Sequence, residues 1–376
     1  MSNASESGFR PGLEGVVAFR TEIAEPDRDG GALRYRGVDI EDLVGTVSFG
    51  DVWSLLVDGR FGDGLPAAPD LAVPVRTGDV RTDAQAGLAM LAPAHGFGPL
   101  LDITDEQARD QLALASVLGL SYVAQSARGD QPPVPQHRID EAATTTERFL
   151  TTWRGEPDPR HVQALDAYWV SAAEHGLNAS TFTARVIAST GADVAASLSG
   201  AVGAMSGPLH GGAPARVLPM IAEAERTGNA RAVVESILDR GDRLMGFGHR
   251  VYRAEDPRAR VLRNTCDQLS APRFEVAAEL EQAALSVLRE RRPDRQIETN
   301  VEFWAAVVLD FAEVPTAMMP AMFTCARLAG WSAHVLEQKR TGRLVRPSAQ
   351  YVGPEPRSPQ DVDGWGSITP LVAAAG

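Results

Sequence analysis

The 376-residue chain contains little of what would indicate a secreted, metal-binding or membrane-spanning protein. Only two cysteines are present, Cys266 and Cys325, and their spacing matches no disulfide framework or zinc motif. No apolar run reaches the roughly 20 residues that span a bilayer. The N-terminus also lacks the basic and apolar segments of a secretory signal. These absences predict a cytoplasmic protein with reduced thiols and no metal site.

Positive charge is also scarce, because 36 lysines and arginines face 49 aspartates and glutamates, which gives a net charge of -13. Nucleic acids and anionic membranes bind basic surfaces. The acidic balance therefore predicts that neither is a partner, although locally gathered arginines could still bind small anions. A hydrophobic content of 44% and a charged content of 23% are ordinary for a globular protein with a sizeable core.

Several catalytic motifs are missing as well. The chain has no His-Glu-x-x-His metal site, no phosphate-binding Gly-Lys-Ser/Thr loop and no nucleophile elbow. Residues 246–248 (GFG) form only half of a dinucleotide-binding fingerprint, because the third glycine is absent. The function must therefore be sought in other combinations of residues.

The spacing of apolar residues predicts a mainly α-helical protein with a few short N-terminal strands. The strands are expected at residues 13–20 and 33–38, on either side of a turn at residues 27–31 (DRDGG). Thr104 and the pair Asp256-Pro257 are typical helix starts. Helical patterns cover residues 49–57, 83–91, 104–127, 139–153, 161–175, 181–205, 214–225, 230–238, 257–269, 274–291, 301–311 and 317–337.

Three segments combine imidazole or carboxylate groups with glycine or with a predicted helix start. Residues 207–212 read GPLHGG and place His210 beside paired glycines, which let a ligand approach the main chain. Residues 245–252 read MGFGHRVY and contain His249, and residues 300–304 read NVEFW and contain Glu302. Two imidazoles and one carboxylate are what proton transfer on a carbonyl substrate needs.

Each of these residues also has a purely structural interpretation. His210 could be a loop histidine bonded to a backbone carbonyl, and Glu302 could be an exposed acid that the helix dipole favours. If Glu302 is instead buried, the pKa of its carboxyl rises and it becomes a stronger base. His175 could reach the same pocket. The other histidines show no partner pattern and are expected at the surface or in the core: His95, His137, His161 and His334.

Seven arginines crowd one short segment of this acidic chain: Arg240, Arg243, Arg250, Arg253, Arg258, Arg260 and Arg263. Arginine binds carboxylates and phosphates through a planar fork of donors. Arg258 lies just after a predicted helix start and is best placed for an anion. Arg260 and Arg263 fit a solvated helix face instead. The cluster as a whole predicts an anionic ligand.

Taken together, these motifs resemble the citrate synthase family. The similarity covers nearly the whole chain, and its pattern is closest to an actinobacterial type within that family. It includes the three segments above and further segments in the same order along the chain: residues 12–16 (GLEGV), 35–43 (YRGVDIEDL), 175–185, 256–258 (DPR), 342–347 (GRLVRP) and 351–353 (YVG).

The resemblance implies a mainly helical homodimer whose subunits each have a large and a small domain, with the active site in the cleft. The large domain would comprise residues 1–211 and 313–376, and the small domain residues 212–312. Closure of the cleft would exclude water before chemistry. The implied reaction condenses acetyl-CoA with oxaloacetate and hydrolyses citryl-CoA to citrate and CoA. No cofactor is expected, because histidines supply the electrophilic assistance.

The resemblance also assigns roles to individual residues. Glu302 would remove a methyl proton from acetyl-CoA, and His210 would hydrogen-bond the thioester oxygen. His249 would polarise and protonate the oxaloacetate carbonyl. Further positions would bind the substrates: His175, Arg258 and Arg346 with oxaloacetate, Arg357 with oxaloacetate across the dimer, and Met245, Gly246, Phe247 and Gly248 with CoA.

Two departures from the family pattern keep alternatives open. The family usually has aspartate at the position of Glu302, and misplacement of a reacting group by about 1 Å can cost roughly 100-fold in rate. The sequence around Arg357 does not match the family's arginine from the partner subunit. A 2-methylcitrate synthase that uses propionyl-CoA shares every motif. A catalytically weakened sensor of CoA or oxaloacetate would retain them too.

Overall fold

The computed structural model describes residues 9–27, 29, 31–207, 210, 216–248, 252 and 254–368. Within them the chain is mainly α-helical, as predicted, with three short strands near the N-terminus. These are β1 (Ala24–Asp27), β2 (Ala32–Tyr35) and β3 (Val38–Asp39). They form one antiparallel sheet in the order β1-β2-β3, with Ala24 opposite Tyr35 and Tyr35 opposite Val38.

Helices make up most of the remaining described chain. Short 3-10 helices occur at Pro11–Leu13, Thr316–Met318, Pro359–Asp361 and Trp365–Ser367. The α-helices are α1 (Ile40–Leu43), α2 (Phe49–Asp58), α3 (Val80–Ala89), α4 (Leu91–His95), α5 (Asp105–Arg128), α6 (Gln136–Asp140), α7 (Thr145–Arg154), α8 (Pro159–Ala172), α9 (Ala179–Ser189), α10 (Val194–Met205), α11 (Leu218–Thr227), α12 (Ala230–Asp239), α13 (Pro257–Gln268), α14 (Phe274–Arg291), α15 (Val301–Phe311) and α16 (Met319–Thr341).

Local capping groups explain why the predicted helices are confirmed to within a few residues. Thr104 accepts the N–H of Gln107 and starts α5, and Asp256 starts α13 with Pro257 in its first turn. The helix predicted over residues 139–153 is divided into α6 and α7, because Thr144 caps a new helix. Residues 181–205 likewise form the pair α9 and α10.

The strand predicted at residues 13–20 is wrong. Residues 16–20 have no regular structure, and Val17 is 86% exposed, so the alternation of apolar residues there does not reflect a buried sheet face. The strand predicted at residues 33–38 is a hairpin that turns at Arg36 and Gly37. Both residues have positive φ (50° and 86°), which is typical of the tight turns that join antiparallel strands.

The core is built around α16, which packs against α2, α5, α8, α9 and α10. Four tryptophans are wholly buried in it: Trp53, Trp169, Trp304 and Trp331. Because α16 runs through the protein interior, any polar side chain on it must find a partner or serve a ligand. Among the helices described, none combines the length and apolar character that crossing a lipid bilayer requires.

Contacts within the chain separate two compact units. One is Thr21–Val345, which holds the sheet, the sixteen described α-helices and the core. The other consists of Met1–Arg20 and Arg346–Gly376, in which the described residues form 3-10 turns and irregular chain. The predicted division into residues 1–211 with 313–376 and residues 212–312 concerns a different boundary and stays a prediction.

Candidate functional site

The starts of α13 and α15 are joined by one carboxylate. Asp256 accepts the N–H of Arg258 at 3.1 Å and, through its other oxygen, the N–H of Val301 at 3.1 Å. The same carboxylate binds the Arg258 guanidinium through Nε (2.9 Å) and Nη2 (2.7 Å). Both side chains are buried. Arg258 is therefore held by the same carboxylate that binds the start of α15.

Glu302 occupies the first turn of α15. Asn300 caps this helix by accepting the N–H of Glu302 at 3.0 Å, and its Nδ2 donates to the carbonyl of Gly248 at 2.8 Å. The carboxylate of Glu302 is mostly buried rather than freely exposed. Burial raises the pKa of the Glu302 carboxyl, and the positive charges of Arg258 and Arg243 offset this only in part. Glu302 is thus a stronger base than an exposed glutamate.

The glycine segment predicted to contact CoA lies against the start of α15. Gly248 donates to the carbonyl of Glu298 at 2.8 Å, and Asn300 donates to the carbonyl of Gly246 at 3.0 Å. Gly246 has a φ of +87°, and a Cβ atom there would lie 2.8 Å from the Cβ of Phe303. Only glycine fits this position. The main chain of the segment therefore lies against the residues on either side of Glu302.

His210 lies after α10, where its Nε2 is 2.9 Å from Ser180 Oγ. Its ring meets Phe323 edge-on at a centroid distance of 6.2 Å. Burial lowers the pKa of the His210 imidazole to about 4, and the positive charge of Arg327 acts in the same direction. His210 is consequently neutral at pH 7. A neutral imidazole can still donate one hydrogen bond to a ligand.

Ser180 decides which nitrogen of His210 carries the proton. Its Oγ accepts the indole N–H of Trp331 at 3.1 Å, donates its own proton to Asn178 Oδ1 at 2.9 Å, and lies 2.9 Å from His210 Nε2. The single hydroxyl proton can be donated to Asn178 or to His210, but not to both at once. When it is donated to His210, the neutral imidazole carries its own proton on Nδ1. That tautomer can donate from Nδ1 to a ligand.

His175 follows α8 and contacts the segment that precedes α13. Its Nε2 lies 3.0 Å from the hydroxyl of Tyr252, and the two rings meet edge-on at a centroid distance of 5.3 Å. Burial raises the pKa of the Tyr252 phenol, and the positive charge of Arg258 offsets this in part. The charge of Arg258 therefore reaches the His175–Tyr252 pair. Sequence analysis had placed His175 in the pocket but had given Tyr252 no role.

Arg327 on α16 is a site residue that sequence analysis missed. Its side chain is 1% exposed, its Nε donates to the carbonyl of Ala172 at 3.0 Å, and its Cζ lies 4.8 Å from the ring centroid of Phe323. Nη1 is buried without a hydrogen-bond partner among the described residues. A single arginine inside the apolar run of residues 317–336 was the available signal, because charges are almost never buried without a purpose.

The charges of these groups act on the same buried tyrosines. The charges of Arg327, Arg258 and Glu302 all act on the phenol of Tyr168, whose pKa burial raises. Arg327 and Arg258 act in the same way on Tyr35. With the contacts above, one cluster thus contains the half-buried base, the neutral imidazole and two arginines. We call it the central cluster, and it consists of His175, His210, Tyr252, Arg258, Glu302 and Arg327.

Other predicted site residues cannot be placed in the central cluster. His249 lies outside the described residues, as do Arg250 and Arg253 of the arginine-rich segment. Arg346 and Arg357 are exposed and belong to the unit Met1–Arg20 and Arg346–Gly376. The roles predicted for these residues stay predictions.

The remaining arginines and histidines largely follow their structural interpretations. Arg260 is ion-paired with Glu41 and Glu255, and Arg263 is ion-paired with Glu255 and Glu281. His95 and His137 are exposed, whereas His334 is in the core. In the part of the chain that the structure describes, no cluster of three or more His, Cys, Asp or Glu could hold a metal ion. A cavity of about 140 Å³ between α5 and α7 is lined by none of the central cluster.

Comparisons with known proteins show the family of the chain. The family model "Citrate synthase, C-terminal domain" matches residues 12–73 and 70–348. The chain is 76% identical over 359 residues to a protein of Mycobacterium tuberculosis (strain H37Rv) named "Putative citrate synthase 2", with 95% of this chain and 96% of that protein covered. It is 32% identical over 380 residues to a 2-methylcitrate synthase of Shewanella oneidensis, with 92% and 95% covered.

A solved structure shows the same fold. It is the ternary complex of the Thermoplasma acidophilum citrate synthase with carboxymethyl coenzyme A and oxaloacetate, which matches with a TM-score of 0.78 and 25% identity. The match covers 93% of this chain and 98% of that one.

Proposed function

The chain belongs to the citrate synthase family of acyltransferases, which condense an acyl-CoA with oxaloacetate, and we propose that acetyl-CoA is its acyl donor. The observation that carries this proposal is the half-buried Glu302 beside Arg258, in the same cluster as the neutral His210. A base, a neutral hydrogen-bond donor and anion-binding arginines are the groups that a carbon–carbon condensation on oxaloacetate requires.

In the proposed mechanism, Glu302 takes one methyl proton from acetyl-CoA. In this step the Ser180 hydroxyl would turn from Asn178 to His210, and the Nδ1–H of His210 would donate to the thioester oxygen, so the charge that develops on that oxygen as the enol forms is stabilised. The enol carbon then attacks the oxaloacetate carbonyl, whose oxygen receives a proton from His249 according to the sequence prediction. Water finally hydrolyses the thioester of citryl-CoA and releases citrate and CoA.

Oxaloacetate would be bound by the arginines of the central cluster. Arg258 is fixed by Asp256, and Arg327 has a buried Nη1 without a partner among the described residues, which suits a substrate carboxylate. His175 would contribute a further contact from its place beside Tyr252. Arg346, Arg357 from the partner subunit and the homodimer itself remain proposals from the family resemblance, as does the cytoplasmic location.

The length of Glu302 supports acetyl-CoA over propionyl-CoA. Glutamate extends the base by one methylene beyond the usual aspartate, and that methylene takes up room beside the reacting methyl group. A hydrophobic pocket discriminates one methylene by about 1–3 kcal/mol, or roughly 10–200-fold. The favoured substrate is therefore the smaller acyl-CoA, and 2-methylcitrate synthase activity is the second candidate because of the similar Shewanella enzyme.

Thiol release from purified protein tests the proposal directly. With oxaloacetate present, we expect kcat/KM for acetyl-CoA to exceed that for propionyl-CoA by at least about tenfold. A preference for propionyl-CoA would assign the protein as a 2-methylcitrate synthase. Binding of CoA without turnover of either substrate would indicate a sensor and overturn the proposed activity.

Glu302→Asp should relax this discrimination. Shortening the base reopens the space of one methylene, so we expect the ratio of kcat/KM for propionyl-CoA to that for acetyl-CoA to rise by about tenfold. The measurement is the same thiol-release assay with each acyl-CoA in turn. Asp310→Glu, at the opposite end of α15, is the control and should leave the ratio unchanged. An unaltered ratio in Glu302→Asp would show that Glu302 does not set the acyl preference.

Ser180→Ala should lower kcat by about 10–100-fold, because His210 loses the hydroxyl that orients its ring and sets its tautomer. The KM for oxaloacetate should change little, since the arginines are untouched. Steady-state kinetics with both substrates separates these two effects. Ser189→Ala, in the last turn of α9, is the matched control. Normal kcat in Ser180→Ala would remove Ser180 from this role.

A further inference from the structure

A wholly buried carboxylate lies directly behind His175. Glu174 is 0% exposed, and its Oε1 accepts the backbone N–H of His175 at 2.9 Å. Its Oε2 is buried and has no hydrogen-bond partner among the described residues. An ionised carboxylate in the core destabilises the fold unless other charges balance it. The groups around Glu174 therefore decide what it does.

Helix α16 approaches this carboxylate closely at Gly330. A Cβ atom on Gly330 would lie 2.0 Å from Glu174 Oε2 and 2.5 Å from the carbonyl oxygen of Ala173, so only glycine fits. Arg327 and His334 lie about one turn to either side of Gly330 on the same face of the helix. Glu174 is therefore enclosed between an arginine and a histidine of α16.

His334 approaches Glu174 from the other side of Gly330. Its Nδ1 lies 2.9 Å from Arg185 Nη1, and because arginine can only donate, Nδ1 must accept. The proton of His334 is then on Nε2, which lies 3.5 Å from Glu174 Oε1. The charge of Arg185 is already balanced by Glu337 at 2.5 Å. Arg185 is therefore not the counter-charge of Glu174.

Arg327 is the second charged group of α16 near Glu174, because its Nε donates to the carbonyl of Ala172, two residues before Glu174. Burial lowers the pKa of the Arg327 guanidinium, and Glu174 is the foremost group that opposes this effect. Burial likewise raises the pKa of the Glu174 carboxyl, but His334, Arg327 and the N–H of His175 together bring it below its usual value. Both groups are thus ionised and attract each other, while Arg327 Nη1 keeps no hydrogen-bond partner among the described residues.

We propose that Glu174 is a positioning residue that acts as the counter-ion of Arg327 while the oxaloacetate site is empty. The inference rests on the proposed function, in which Arg327 binds a carboxylate of oxaloacetate. Once the dianion is bound, Arg327 has a second negative partner and Glu174 repels the substrate. Glu174 therefore stabilises the empty protein and weakens oxaloacetate binding.

Glu174→Gln tests this directly, because glutamine keeps the shape and the acceptor for the His175 N–H but removes the charge. We expect the midpoint of thermal unfolding without ligand to fall. We also expect the dissociation constant of oxaloacetate, measured by titration calorimetry, to decrease by about tenfold, as removal of a like charge several ångströms away implies. A merely structural role for Glu174 predicts the reverse, in which a less stable protein binds oxaloacetate more weakly.

Two further variants control for charge and for location. Glu174→Asp keeps the charge and should retain an oxaloacetate dissociation constant near that of the unsubstituted protein. Glu337→Gln removes the carboxylate that balances Arg185. Arg185 contacts His334, which in turn lies next to Glu174. The Glu337→Gln variant should lower stability without strengthening oxaloacetate binding.

Stability measurements in an Arg327→Gln background cover the case in which Glu174→Gln does not fold. Removing both charges should give a protein that is more stable than Arg327→Gln alone, because the single variant leaves Glu174 unbalanced. Unchanged or weaker oxaloacetate binding in Glu174→Gln, or a double variant no more stable than Arg327→Gln, would overturn the inference. If the unsubstituted protein does not bind oxaloacetate at all, the proposed function fails instead.

Discussion

Glu302→Gln is expected to abolish turnover of acetyl-CoA with oxaloacetate, with a loss in kcat of at least about 1000-fold, while oxaloacetate still binds. The amide has the size of the carboxylate but cannot accept the methyl proton. The start of α15 should persist, because Asn300 caps it through the backbone N–H of residue 302. The measurements are thiol release under saturating substrates and the rise in thermal midpoint on adding oxaloacetate.

Glu298→Gln provides the matched control for this prediction. Its side chain is also mostly buried and is four residues away, but its only described ion pair is a 4.0 Å contact with Arg289. Loss of this charge should leave kcat within about twofold, since a surface ion pair contributes little. A substantial rate in Glu302→Gln would show that another group removes the proton.

Arg327→Gln is expected to raise the KM for oxaloacetate by about 30–5000-fold, because loss of one partner of a buried charge pair costs about 2–5 kcal/mol. The effect on kcat should be smaller, since Glu302 and His210 stay in place. Arg327→Lys should recover only part of the affinity, because an ammonium group keeps the charge but not the planar fork of donors. Steady-state kinetics over a wide range of oxaloacetate concentrations distinguishes these outcomes.

Arg263→Gln is the control for Arg327→Gln. Arg263 is a partly buried arginine on α13 whose charge is paired with Glu255 and Glu281, and it lies outside the central cluster. Its loss should affect stability more than KM. An unchanged KM for oxaloacetate in Arg327→Gln would exclude Arg327 from the substrate site and with it the counter-ion role of Glu174.

The fold could be predicted from the sequence where local signals are strong. Helix starts such as Thr104 and Asp256 depend on a few neighbouring residues, so their positions were predicted closely. The strand at residues 13–20 was predicted wrongly, because alternation of apolar residues gives no information on whether a second strand is present to pair with it. The hairpin turn at Arg36 and Gly37 was missed for a similar reason.

Only those site residues that belong to a recognisable sequence motif could be predicted. His210 and Glu302 stand next to glycine or a helix start, and both lie in the central cluster. The residues next to Arg327 and Glu174 in the sequence do not indicate a functional role. Each is a single charged residue whose role depends on its burial against another helix. The close approach of Glu174 to α16 at Gly330 is a tertiary contact that periodicity cannot reveal.

The carboxylate of Asp256 has a mechanical consequence. Because it bonds to the first turns of α13 and α15 at once, the two helix starts that carry Arg258 and Glu302 form one connected unit. Any movement of this unit would carry Arg258 and Glu302 together and leave the distance between them unchanged. The distance that could change is then the one between this unit and the site groups on α9 and α16, Ser180 and Arg327. Such a movement would control when the reaction starts without altering the spacing of Arg258 and Glu302.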